Sequence, residues 1–369
     1  MSAFLTPHVA SLPATVPFVG PEAQERQRGR RFAARIGANE SVFGPSPLAL
    51  AAMQRAAGEV WQYPDPENYD LRQALATLHA IDPGHIQIGE GIDTLLGYLC
   101  RMTVAPGVNV VTSDGAYPTF NYHVAGYGGT LHRVPYRDDH EDLAGLLAMV
   151  RKHDARVLYL SNPDNPMGTW HNAERITDLV ANLPDTCLLL LDEAYVECAP
   201  AGTAPDIAPD TPNVIRLRTF SKVYGMAGAR VGYAIGPRDL IASFDRIRNH
   251  FGMTRIAQAG ALAALQDQEW LAGVIADIAI ARDTIAGIAR AHGLTPLPSA
   301  TNFVTVDCGR DGAFARRVLA GLIDRDIFVR MPFVAPQDRC IRIGCGTPKD
   351  MALLSEHLSG ALADASSEV

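Results

Sequence analysis

The chain has 369 residues, of which 47% are hydrophobic and 20% charged, with a net charge of −8. That length suffices for one large domain plus a smaller one. An acidic balance without any Lys/Arg-rich block argues against a nucleic-acid partner. No apolar run approaches the ~18 residues that a membrane helix needs. The start, Met1-Ser2-Ala3-Phe4-Leu5-Thr6-Pro7-His8, lacks a basic segment followed by an apolar one. Six cysteines, at 100, 187, 198, 308, 340 and 345, include no C-x-x-C pair. They read as buried reduced thiols, not as disulfides or a metal site, and a cytoplasmic protein is expected.

Residues 1–35 are rich in Pro, Arg and Gln and show no sustained period, as expected of an arm lying on a surface. A turn-rich stretch follows, Ala38-Asn39-Glu40-Ser41-Val42-Phe43-Gly44-Pro45-Ser46-Pro47, and Pro47 opens a helix through Arg55. Tyr63-Pro64-Asp65-Pro66 is a rigid turn, Asp70 to His79 a helix, and Ile86-Gln87-Ile88 a short strand. Gly89-Glu90-Gly91-Ile92-Asp93 is a glycine-containing turn entering a helix, either an anion-binding helix start or a plain cap. Strands at 108–112, 131–134, 157–160 and 187–191 then alternate with helices at 119–126, 143–153 and 173–183. Strands apolar on both faces between helices predict a mostly parallel sheet covered on both sides. From about Ile241 the texture changes. A mostly helical region spans 258–291 with a break near Gln266-Asp267. Short strands at 302–306, 327–330 and 340–343 follow, interleaved with helices at 313–324 and 349–363.

Ligands of parallel sheets bind at the carboxyl ends of the strands, and three of those ends carry chemistry. Leu160 runs into Ser161-Asn162-Pro163-Asp164-Asn165-Pro166-Met167-Gly168, and Leu191 into Asp192-Glu193-Ala194-Tyr195. Leu217 leads to Arg218-Thr219-Phe220-Ser221-Lys222, with Arg230 eight residues beyond the lysine. Singly, Asp192 reads as a cap, Asn165 as a turn residue and Lys222 as a solvated side chain. Together they describe a site for pyridoxal phosphate, which needs an amine for its aldehyde, an acid against its pyridine nitrogen, and a phosphate cradle. A lysine near a core has its pKa lowered by desolvation, which frees the amine as a nucleophile. Asn165 and Tyr195 suit the ring oxygen. Thr219, Ser221, Arg230 and the Gly91-Ile92-Asp93 turn suit the phosphate.

With those residues in place, the chain resembles the fold-type I, class I/II aminotransferases, and most closely their histidinol-phosphate aminotransferase group. The resemblance runs from Asn39 to about Leu358. It rests on Asn39-Glu40 with Gly44-Pro45-Ser46, Tyr63-Pro64-Asp65-Pro66, residues 162–168, Asp192-Glu193-Ala194-Tyr195, residues 218–230 and Arg342-Ile343-Gly344. It implies an α/β fold in three parts. These are an N-terminal arm (1–38), a large domain (39–245) on a mostly parallel seven-stranded sheet, and a smaller C-terminal α/β domain (246–369) joined by a long helix. It further implies that Lys222 bonds the cofactor and moves the substrate proton, and that Tyr117 stacks on the cofactor ring. Tyr63 would reach the phosphate in the other subunit of a homodimer, Arg342 would bind the substrate carboxylate, and Asn39 would belong to the substrate site. Arg330 would face the phosphate of histidinol phosphate, unless it is a surface ion-pairing residue. The implied reaction moves an amino group from an amino acid or amino-alcohol phosphate to 2-oxoglutarate. The alternatives are an aromatic or other amino-acid donor, or decarboxylation of threonine phosphate. Phe18 stands where the group often has a tyrosine, Glu90, Ile92 and Thr94 alter the usual phosphate turn, and Met167 replaces a common threonine. These departures bear on the substrate more than on the reaction.

Overall fold

The structure, a computed structural model, describes residues 4–14 and 18–367. Its main sheet has seven strands: β2 (Ile86–Gly89), β3 (Asn109–Ser113), β4 (Thr130–Val134), β5 (Val157–Ser161), β6 (Leu188–Asp192), β7 (Val214–Thr219) and β8 (Gly232–Ile235), after a short β1 (Ala34–Arg35) that lies elsewhere. The order is β2-β8-β7-β6-β5-β3-β4. β8 pairs antiparallel with both β2 and β7, while β3, β4, β5, β6 and β7 pair in parallel. The parallel strands β5 and β6 are apolar on both faces because helices cover both, and Leu158, Leu160, Leu189 and Leu191 are fully buried.

The parallel strands run in register, Ser161 opposite Asp192 and Asp192 opposite Leu217. Their carboxyl ends therefore open at one rim, which puts Asn165, Asp192 and Lys222 side by side. Alternation along the strand sends Asp192 and Glu193 to opposite sides. Glu193 pairs with Arg216 and Arg218, each at 2.9 Å, and so fixes the far side of the rim. Gly225, with φ of +68°, lets the lysine turn approach Gly44, where an added Cβ would stand 2.1 Å from the Gly44 carbonyl oxygen.

A second sheet, β12-β10-β9, joins β9 (Thr295–Pro296), β10 (Phe303–Asp307) and, later in the chain, β12 (Cys340–Gly344). Helices Gly312–Asp324 and Pro348–Ser367 pack together beside it. The helical region breaks where the sequence suggests, into Arg255–Gln266 and Gln268–Ala291. Asp267 caps the second helix by accepting the Trp270 N–H.

Three local expectations are corrected. The arm is not without regular structure: it contains helices Pro7–Ser11 and Pro21–Arg28, each opened by a proline at its first turn, and β1. Both helices are short and, Pro21 apart, exposed or half-buried, so no apolar stripe marks them. The strand expected at 327–330 is split between two partners. Ile327–Phe328 (β11) pairs in parallel with β1, whereas Arg330 forms a single bridge to Arg342. Pro332, without an N–H to donate, ends that second pairing. The last helix runs to Ser367, beyond the residue 363 expected. No helix among the described residues is long and apolar enough to cross a membrane.

Candidate active site

A cavity of about 580 Å³ opens at the carboxyl rim of the main sheet and is walled on its other side by residues 330–334 and Arg342. At its floor, the Lys222 Nζ donates to the Asn39 carbonyl at 3.2 Å and stands 5.4 Å from the centre of the Tyr195 ring. Asn39, in the left-handed region at φ 56°, is held in turn by the Asn302 amide at 3.1 Å. Its own side-chain amide donates to the Tyr195 hydroxyl at 2.9 Å. Burial, then the nearby Arg342 guanidinium, pulls the lysine down to about 8. The amine is therefore free in a sizeable fraction near neutral pH.

Asp192 is buried at the same floor. Its Oδ1 accepts the Ala194 N–H at 3.0 Å and its Oδ2 the Tyr159 hydroxyl at 2.7 Å. Burial outweighs these donors and raises the carboxyl to about 6. Tyr159 was not singled out from the sequence. Only the strand register, which sets β5 beside β6, brings it under the carboxylate.

The side of the cavity nearest the β2 turn forms a cradle. Thr219 Oγ1 donates to Ser221 Oγ at 2.9 Å, and Arg230 Nη1 to the same oxygen at 3.3 Å. Arg230 Nη2 lies 3.7 Å from Asp93 Oδ2. Ile92 begins the helix Ile92–Thr103 and Gly91 caps it at φ 84°, where a Cβ would stand 2.3 Å from Arg230 Nη2. The Tyr117 hydroxyl donates to Asp93 Oδ1 at 2.8 Å, and the Tyr117 ring faces Phe18 at 6.3 Å between centroids. Among the described residues, Asn39 Oδ1 and Arg342 Nε are buried polar atoms without a hydrogen-bond partner.

Arg342 Nη1 donates to Asn165 Oδ1, and Nη2 to the Gly37 carbonyl at 3.3 Å. Arg330 Nη2 donates to the Val19 carbonyl at 2.7 Å and its guanidinium lies 5.7 Å from the Phe18 ring. Phe18 is thus strapped over the cavity mouth, while its neighbour Pro17 lies outside the described residues. Every residue selected from the sequence lines this cavity except Gly91, which sits directly behind it, and Tyr63. Tyr63 is 78% exposed on the surface, its ring 4.9 Å from that of Phe251. Arg133, Asn121 and Phe333, which the sequence reading did not mark, also line the cavity.

Over residues 35–358 the chain matches the family described as aminotransferase class I and II. The chain belongs to this family. It is 37% identical to a histidinol-phosphate aminotransferase of Anaeromyxobacter sp. (strain Fw109-5), over 87% of this chain and 90% of that one. It is 55% identical, with a TM-score of 0.96 and 98% of both chains covered, to a crystal structure of histidinol-phosphate aminotransferase from Sinorhizobium meliloti in complex with pyridoxal-5'-phosphate. A Thermus thermophilus aspartate aminotransferase double mutant, 22% identical with a TM-score of 0.78 over 98% of each chain, shares the fold. The protein is a fold-type I, pyridoxal-phosphate-dependent transaminase acting on amino and 2-oxo acids.

The site fits that cofactor by its own chemistry. A buried carboxyl whose donors among the described residues are one hydroxyl and one amide suits a cationic ring nitrogen. A depressed lysine suits an aldehyde. Two hydroxyls, a guanidinium and a helix start suit a phosphate.

Proposed function

We propose that this aminotransferase takes the amino group of histidinol phosphate and gives it to a 2-oxo acid such as 2-oxoglutarate. The pairing of Arg330 with Arg342 carries this reading. The two stand opposite each other in an antiparallel bridge, with the Arg342 N–H donating to the Arg330 carbonyl at 2.6 Å and the reverse bond at 3.2 Å. Opposed residues of such a bridge share a face, and both guanidiniums line the cavity. Two planar cations on one wall suit a dianionic phosphate better than a single carboxylate does. Arg330 takes the phosphate of the donor with Arg342 beside it, and Arg342 takes the α-carboxylate of the 2-oxo acid in the return half of the reaction. The names of the Anaeromyxobacter and Sinorhizobium relatives support the same donor.

Pyridoxal phosphate, when bound, supplies the aldehyde that accepts the amino group and a ring that withdraws electrons from the donor Cα. Asp192 holds the ring nitrogen, Asn165 and Tyr195 the ring oxygen, and Tyr117 covers the ring face. Thr219, Ser221, Arg230 and the backbone of Gly91, Ile92 and Asp93 hold the phosphate. Lys222 Nζ would bond the cofactor's aldehyde and, as a free amine, would carry the proton away from the substrate Cα. Asn39 orients Lys222 and Tyr195 together. Phe18 closes the mouth and keeps water out.

We also propose the division into arm (1–38), large domain (39–245) and small domain (246–369), because the seven-stranded sheet falls within the second span and the three-stranded sheet within the third. A homodimer in which Tyr63 reaches the other subunit's site is supported by the exposed rings of Trp61, Tyr63 and Phe251. Six free, buried cysteines support a reducing compartment, the cytoplasm.

The test is a panel of donors followed by half-reaction absorbance: histidinol phosphate, Phe, Tyr, Asp and threonine phosphate. Fast loss of the visible cofactor band with histidinol phosphate is expected. Turnover of an aromatic amino acid with none of histidinol phosphate overturns the donor. Release of CO₂ from threonine phosphate, without a change of cofactor form, would establish a decarboxylase instead.

A further inference from the structure

Behind the Asn165 turn lies a group of ionisable side chains that the chemistry above does not use. Glu141, just before the helix Leu143–His153, and Asp164, in the turn after β5, are both buried. Their carboxyls enter one buried cluster with Ser161 and Tyr136 and act on each other there. Glu141 Oε2 has no hydrogen-bond partner among the described residues. Two buried carboxylates side by side repel each other, and a buried charge without a partner is costly. One proton held between them relieves both penalties, and the two then titrate as a pair.

Among the described residues no cation forms an ion pair with either carboxyl. The Tyr136 hydroxyl donates to Asp164 Oδ1 at 2.9 Å and the Met167 N–H to Oδ2 at 2.9 Å. The Ser161 N–H points at Glu141 Oε1 at 3.5 Å, and the Ser113 hydroxyl lies beside it. His171 Nε2 contacts the Glu141 carbonyl at 2.8 Å, and burial pushes that imidazole down to about 4, so it is neutral. His140 faces Asp164, Asp114 and Asp142 add negative charge, and Arg175 and Arg342 act from the helix Ala173–Asn182 and from β12. Desolvation wins: Glu141 is pushed well above the carboxylate range and Asp164 up to about 6.

We propose that Glu141 is a positioning residue for the transamination: it shares one proton with Asp164, and the joined carboxyls brace the turn that presents Asn165 to Arg342. Asp164 spans that turn. Its carboxylate accepts from Met167, its carbonyl accepts the Gly168 N–H at 3.0 Å, and its own N–H donates to Thr169 at 2.8 Å. Asn165 lies inside this loop, and its Oδ1 receives Arg342 Nη1. The braced state holds while the proton is present, at acid and neutral pH. As pH rises and the proton leaves, the carboxylates separate, the turn loosens and Arg342 loses its aim. The inference rests on the reading of Arg342 as an anion contact.

The experiment uses holoenzyme of the wild type, Glu141→Gln and Asp164→Asn. The wild type is expected to show the infrared carbonyl stretch of a protonated carboxyl at neutral pH, disappearing on the alkaline side and missing from Glu141→Gln. Over the same range the wild-type KM for the amino donor rises while kcat changes little. Glu141→Gln keeps KM within about twofold of the neutral wild-type value and flat, because the amide donates permanently where the shared proton did. Asp164→Asn, which donates from the other side, gives the same flat profile. A wild type without the protonated-carboxyl band at neutral pH, or a Glu141→Gln enzyme with the wild-type alkaline rise in KM, overturns the proposal. Arg342→Lys is measured alongside. An unchanged donor KM there overturns the anion contact and the positioning role with it, whereas the infrared band alone decides the shared proton.

Discussion

The Tyr159 hydroxyl reaches across from β5 to donate to Asp192 Oδ2 at 2.7 Å, so the buried acid that we propose for the cofactor's ring nitrogen is steadied by a neighbouring strand. Tyr159 is itself fully buried and stacks on Phe120 with centroids 4.6 Å apart. The bond favours the charged carboxylate against the desolvation that raises it. Tyr159→Phe keeps the ring and the stacking but removes the donor. A hydrogen bond to a charged group contributes about 1.5–3 kcal/mol, so the cofactor dissociation constant should rise about tenfold or more. Absorbance titration of the apoenzyme measures it. The loss should grow as pH falls toward about 6, because Asp192 without the donor takes up its proton at higher pH, and should level off below that value, where both apoenzymes are protonated. Equal affinities at all pH values would refute the role of Tyr159.

Lys222 gives a stability prediction for the apoenzyme with a definite sign. Its folded-state value, about 8, lies below its ordinary 10.5. Between those values the unfolded chain binds a proton that the folded chain does not, so stability rises with pH across that window. Below about 8 the folded protein carries a poorly solvated ammonium, a penalty on the order of 1–3 kcal/mol. Apo Lys222→Met should therefore melt higher than the apo wild type at neutral pH. The gap should narrow as pH climbs from about 8 toward 10.5. The same variant should lose the visible cofactor band and at least about 10³-fold in half-reaction rate. A melting difference independent of pH would show that the lysine is not strained.

The main sheet and the floor of the cavity were legible in the sequence for a physical reason. Strands such as 157–160 and 187–191 are apolar on both faces, and that pattern alone says parallel and covered. A parallel sheet gathers its loop chemistry at one rim, which places Asn165, Asp192 and Lys222 together before any contact is known. Tyr159 and Glu141 were not legible, because each acts across a register that only the folded sheet defines. The opposition of Arg330 and Arg342 was hidden for a related cause. Ile327–Phe328 pairs with β1 and Arg330 with β12, and a change of partner inside four residues leaves no periodic trace. Tyr63 is proposed on resemblance alone, since in its own chain it does not line the cavity.

The two arginines should separate kinetically. Arg330→Ala should raise the KM for histidinol phosphate by about 10–100-fold, the worth of a lost charge-assisted contact, and leave the KM for 2-oxoglutarate less affected. Arg342→Lys keeps a charge but loses the planar fork that also holds Asn165. It should raise both KM values. Steady-state kinetics with each substrate varied in turn distinguishes them. Identical patterns in the two variants would mean that the guanidiniums serve one undivided anion site.

Gly91 offers a test of the phosphate cradle that does not remove any functional group. Its φ of 84° is a conformation that side chains rarely adopt, and an added Cβ would lie 2.3 Å from Arg230 Nη2 and 2.9 Å from its Cζ. Arg230 is partly exposed and flexible, so the protein accommodates the methyl by moving the guanidinium away from Ser221, where it now donates at 3.3 Å. Gly91→Ala should therefore fold, with a modest stability cost of about 1 kcal/mol or somewhat more from the backbone. It should bind pyridoxal phosphate about 10–100-fold more weakly, through the displaced charge-assisted bond. Gly228→Ala is the matched control: it lies two residues before Arg230, and nothing stands within 4 Å of its added Cβ. Reconstitution of both apoenzymes with increasing cofactor gives the comparison. Equal affinities in the two variants would place the phosphate away from Arg230.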